Sequence, residues 1–176
     1  MGNHNDKVLV MRPRDNLFAF TTILIIIGTL VVLAQRGGVF RASRDHPAIA
    51  YSSGPADNSV SRLNTRIQSG DVQLKFDEVS GYLRSLLHEL DISVDSQVTV
   101  FSQTSFQAQA ITSKNPRAIY FRDNIAAAWV RGGEVIEIAA HDPRQGAVFY
   151  VLDQIPVDRP RLRRNDGCLA CHLSWD

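Results

Sequence analysis

The sequence is poor in the residues that would staple a small fold together or load it with charge. Cysteine occurs twice in 176 residues, at 168 and 171, so no disulfide framework is available. A bridge between these two would be strained and would close almost no loop. The two methionines, Met1 and Met11, both sit near the start of the chain. Charge of one sign is also missing: 19 Lys and Arg stand against 18 Asp and Glu, which removes any case for binding nucleic acid through bulk charge. There is no internal repeat and no low-complexity segment. No phosphate-cradling glycine loop, Ser-His-Asp grouping or carboxylate constellation rises above background. A 44% hydrophobic share suits one modest domain plus a targeting segment.

Long apolar runs are absent with one exception. Leu17 to Ala34, LFAFTTILIIIGTLVVLA, carries no charged residue and has the minimum length for a hydrocarbon core. A cleaved signal peptide is the rival, because Val32-x-Ala34 could serve as a small-residue cleavage site. The run exceeds an ordinary signal core, however, and sixteen residues precede it. The expectation is an uncleaved transmembrane anchor over 17–34 with the lipid bilayer as its partner. Residues 1–16 would then form a cytoplasmic N-terminus. Lys7, Arg12 and Arg14 on one side and Arg36, Arg41 and Arg44 on the other leave orientation open.

From 35 to 58 periodicity is lost among Gly37-Gly38, Pro47 and Ser52-Ser53-Gly54-Pro55, a composition that suits a linker. Val60, Leu63 and Ile67 recur at helical spacing up to Gly70. A second helix is expected from Asp77, as N-cap, to Leu90, with Val79, Leu83, Leu86, Leu87 and Leu90 on one face and His88 on the wet side. Strand patterns follow at Val98–Phe101, Ala118–Phe121, Ile125–Val130, Val135–Ala140 and Ala147–Leu152, separated by short turns. The predicted class is α+β: a transmembrane helix, then a small antiparallel sheet with one or two packed helices over 59–155, outside the cytoplasm.

The two cysteines belong to Cys168-Leu169-Ala170-Cys171-His172, the C-x-x-C-H pattern of covalent haem c attachment. Two thiols at this spacing can add to the two vinyl groups of one haem, while the adjacent histidine ligates iron from the proximal side. Three rivals are weaker. The disulfide is strained. A thioredoxin-like dithiol needs a strand before it and a fold after it, whereas a loop rich in arginine precedes this one. A zinc site lacks a further ligand and a second cysteine pair. Residues 156–176 therefore read as a haem c attachment segment carrying one haem. Haem c is attached outside the cytoplasmic membrane, so the expected location is the bacterial inner membrane, single-pass, with the C-terminal domain periplasmic or otherwise extracytoplasmic.

The sixth iron position needs a partner. Met1 and Met11 fall on the far side of the expected membrane, and so does His4. Of His46, His88 and His141, the last is the best-placed distal candidate, at a strand-to-turn junction, though a solvated turn histidine beside Asp142 is the stronger reading of it. The four residues after His172 cannot cover a haem, although Trp175 could stack near one edge. The expectation is a cytochrome c domain that continues beyond this record, with the preceding domain or a partner as the other source of a wall. Arg159, Arg161, Arg163 and Arg164 could pair with haem propionates or dock an acidic partner, or be a solvated linker. Glu134 and Glu137 alternate with apolar residues and read as the solvent face of a strand.

The stretches Asn115-Pro116-Arg117-Ala118-Ile119-Tyr120-Phe121-Arg122-Asp123 and Gly146-Ala147-Val148-Phe149-Tyr150-Val151-Leu152-Asp153-Gln154, with the closing motif, resemble an uncharacterised group of bacterial membrane-anchored or exported cytochrome c-domain proteins. The resemblance covers about Val98 to Asp176. It implies attachment roles for Cys168 and Cys171 and a proximal-ligand role for His172, and nothing for other residues. The expected function is a membrane-anchored extracytoplasmic c-type cytochrome that passes single electrons between redox partner proteins at the membrane, more an electron carrier than an enzyme. The alternatives are a haem sensor or haem enzyme with an open sixth site, and an anchored interaction domain with a redox or metal C-x-x-C tail.

Overall fold

Alternation of side chains along consecutive extended segments builds the sheet. The structure, a computed structural model, describes residues 45–172. The chain divides into two units, Met1–Pro47 and Ala48–Asp176, and the fold described is that of the second. Its elements are α1 (Ser59–Ser69), α2 (Leu83–Glu89), β1 (Val98–Val100), β2 (Arg117–Arg122), β3 (Ile125–Trp129), β4 (Val135–Asp142), β5 (Gly146–Asp153), β6 (Leu162–Arg164) and a closing helical turn, α3 (Leu169–His172). The six strands form one sheet in sequence order, each antiparallel to the next.

Short connections set this order. Arg122 pairs with Ile125 across the two-residue turn Asp123-Asn124, and Asp123 takes the positive φ of 41° that such turns need. Gly146, at φ 73°, does the same service between β4 and β5, whose eight paired residues form the longest ladder.

One sheet face supplies the core. Ala118, Tyr120, Ile125, Ala127, Ile136, Ile138, Ala140, Val148, Tyr150 and Leu152 are buried in one cluster with Val60, Leu63 and Ile67 of α1 and Leu83, Leu86 and Leu87 of α2. Each such leucine or isoleucine removed from water contributes roughly 1.5–3 kcal/mol. Asn58 ties the layers together. Its side chain caps α1 by accepting from the Ser61 amide at 3.0 Å, while its Nδ2 donates to the Tyr150 hydroxyl at 3.0 Å.

Four expectations are corrected. The fold is not a transmembrane helix followed by a small sheet: it is a six-stranded antiparallel sheet whose longest described helix has 11 residues. The single-pass membrane location, with its periplasmic domain, is corrected on the same ground. Among the described residues no helix is long and apolar enough to cross a membrane, and the 17–34 run lies outside them. The second helix is shorter than its periodicity suggests. Gly81 adopts φ 59°, and the Asp77 carboxylate accepts from the Val79 and Ser80 amides in a separate turn, leaving Val79 74% exposed. Finally, the linker is not free up to 58. Tyr51 is buried, its ring lies 4.8 Å beneath the Arg164 guanidinium, and Arg164 donates to the carbonyls of Tyr51 and Gly54.

Candidate functional site

The other sheet face carries small side chains at its centre. Ala126 and Ala128 of β3 and Ala139 of β4 point to it, in register with Phe149 of β5 and Ile119 of β2: Ala126 pairs with Ala139, Ala139 with Phe149, and Ile119 with Ala128. Methyl groups at three neighbouring positions leave room above the sheet. The space is a cleft of about 550 Å³, roofed on one side by Gln103–Phe106 and on the other by Gly167, Cys168, Ala170, Cys171 and His172. That volume lies within the range of about 300–1,000 Å³ usual for cofactor and small-molecule sites.

Local interactions hold the motif at the cleft edge. The Asn165 amide donates to the Phe149 carbonyl at 2.9 Å, fastening the segment to β5. The Asn165 side chain accepts from the Gly167 amide at 3.0 Å and starts a 3-10 turn over Asp166–Cys168. Leu169, 2% exposed, plugs into the core and anchors the motif. A Cβ on Gly167 would lie 3.0 Å from the Phe106 ring, so glycine lets the roof close on this side. Helical spacing then puts Cys168, Cys171 and His172, at i, i+3 and i+4, on one side of the turn. All three line the cleft, and the His172 ring lies 4.9 Å from that of Phe149.

The sulfurs are free thiols, Cys168 partly buried and Cys171 exposed. Burial, reinforced by the negative charge of Glu137, pushes the Cys168 thiol above its ordinary pKa. A redox or zinc-binding cysteine needs the opposite shift toward thiolate. Among the described residues no three His, Cys, Asp or Glu side chains cluster to hold a bare metal ion. Haem needs no such cluster, since its iron is held by the porphyrin and one or two axial ligands.

The polar end of the cleft was not legible in the sequence. Glu137, read there as a solvent-facing strand residue, is only 14% exposed. Its carboxylate accepts from Ser105 Oγ at 3.0 Å, from the Phe106 amide at 3.3 Å and from Arg117 at 3.3 Å, and so pins the roof loop to the sheet. The four arginines singled out near the motif are placed elsewhere, and none lines the cleft. Arg159 and Arg161 bond to Gln68, Arg163 to Asp153, and Arg164 to the backbone around Tyr51. His141 is exposed at the end of β4 and does not line the cleft either; His88 lies exposed on α2. His4, Met1, Met11 and Trp175 lie outside the described residues.

Comparison with protein-family models, with curated proteins and with solved structures returns no match. Function therefore has to be argued from the cleft. It offers an alanine-lined apolar floor, two free thiols three residues apart and an imidazole beside them.

Proposed function

We propose that this chain binds one haem c covalently and serves in single-electron transfer. The observation that carries the reading is the convergence of Cys168, Cys171 and His172 on one side of a helical turn that borders an alanine-floored cleft. Haem c would supply a one-electron iron couple. Cys168 and Cys171 would hold the porphyrin, each S–H adding across one vinyl C=C with its hydrogen delivered to the neighbouring carbon, so no oxidant would be consumed. His172 would offer its imidazole nitrogen to the iron, its ring in contact with Phe149 at 4.9 Å. Ile119, the three alanines and Phe149 would shield the cofactor from water, a condition for a defined potential. In likeness of motif and chemistry the chain is similar to c-type cytochromes.

A second reading has a specific observation in its favour. Among the residues lining the cleft, His172 is the one imidazole and there is no methionine. A haem seated there with no second protein ligand would leave its sixth position open, as a ligand sensor or haem enzyme requires. Absorption spectra of the reduced, matured protein with and without carbon monoxide separate the two. Unchanged spectra support electron transfer; prompt formation of a carbon monoxide complex supports the open site. Absence of covalent haem in a pyridine haemochrome assay removes both.

A further inference from the structure

Arg117 is the one cationic Lys or Arg among the residues lining the cleft, and its partners within the chain do not satisfy it. One guanidinium nitrogen reaches Glu137 Oε2 at 3.3 Å, whereas Nε is buried without any partner, and the side chain is 15% exposed. Glu137 is not in the same position, because Ser105 Oγ, at 3.0 and 3.2 Å from its two oxygens, and the Phe106 amide also donate to it. The carboxylate thus keeps two donors besides Arg117, whereas the guanidinium Nε lacks an acceptor. A guanidinium presents its N–H groups as a planar fork matched to a second, bidentate carboxylate.

Position supports this. Arg117 stands on β2 and Phe149, under His172, on β5; Ala126, Ala128 and Ala139 of the two strands between them form the floor. A flat ligand held at the His172 end would extend over the alanines toward Arg117.

We infer that Arg117 is the carboxylate-binding residue of this cleft, taking an acid group of the planar apolar ligand that lies on the alanine floor; for haem c that group is a propionate. The inference rests on the haem reading above. As the guanidinium turns from Glu137 to the ligand, Ser105 and Phe106 keep Glu137 hydrogen-bonded.

The test uses the full chain expressed without haem c assembly and titrated with haemin and with haemin dimethyl ester, which has the same ring but no free carboxylate. The wild type is expected to bind haemin about tenfold more tightly than the diester, the worth of one charged hydrogen-bonded pair. In Arg117→Gln the ratio is expected to fall to near one. In Arg117→Lys, which keeps the charge and protects Glu137, the ratio falls but stays above one. Equal affinity of the wild type for both porphyrins, or a ratio unchanged in both variants, overturns the assignment while leaving haem binding intact. Failure of both porphyrins to bind overturns the cleft as a haem site, and this inference with it.

Discussion

Ala139→Phe is expected to abolish haem capture while leaving the domain folded. Ala139 sits in the middle of the floor, paired with Ala126 on one side and Phe149 on the other. A phenyl ring there points into open cleft, so it neither overpacks the core nor disturbs the ladder. It does occupy the plane a porphyrin needs. Co-expression with the haem c assembly machinery should give at least about tenfold less covalent haem per chain than wild type by pyridine haemochrome, because a ring that cannot seat loses the contacts that hold it. The melting temperature should move by no more than about 2 °C, the range of a substitution outside the core. Ala139→Ser, of similar volume, should load normally. Wild-type loading of Ala139→Phe would show that the cofactor lies elsewhere.

Asp142→Ala should produce the largest loss of stability. Asp142 ends β4, is 2% exposed, and accepts from the backbone amides of Asp57 at 2.6 Å, Arg144 at 2.9 Å and Gln145 at 3.0 Å. It thus closes the β4–β5 turn and ties the segment before α1 to the sheet. Removing it strands three amides and lifts a charge from the Arg164 side, at a cost of about 3 kcal/mol or more. That corresponds to a fall of roughly 10 °C in melting temperature for a domain of this size. The pH dependence has a definite sign. Burial by itself raises the pKa of Asp142, but the three amides and Arg164 outweigh it and hold the folded value below the ordinary carboxylate range. The stabilisation is therefore present above the unfolded pKa of about 3.9 and is lost as pH falls through the lower folded value. The stability gap between wild type and Asp142→Ala should be full near neutrality and close below about pH 4. A gap independent of pH would contradict the role given to the carboxylate.

What the sequence could show was local. Strands β2 to β5 lie where apolar alternation and turn residues placed extended segments, because both signals need only neighbouring residues. The C-x-x-C-H pattern was legible from five consecutive positions. Periodicity alone misplaced the start of α2, since it cannot report that Gly81 turns to positive φ and leaves Val79 in water. The burial of Tyr51 was hidden for a different reason: its partner Arg164 is 113 residues away. The cleft was hidden too. Glu137 and the three alanines look like an ordinary outward face until the roof loop and the motif turn fold over them. Arg117 lay inside a quoted stretch with nothing to mark it. Expecting propionate contacts from the arginines beside the motif followed sequence proximity, whereas the sheet brings a distant arginine to the cleft and spends the near ones on packing. The sheet itself supplies an apolar floor beside the motif turn, which five consecutive residues could not announce.

Intact mass in denaturing acid of the full chain matured with haem c assembly, followed by trypsin digestion at mildly alkaline pH, tests the account most directly. The expected result is one haem added to the chain, retained through denaturation, and carried by the peptide 165–176 with neither Cys168 nor Cys171 open to alkylation. A chain of unmodified mass, with both thiols alkylated in full, would contradict it.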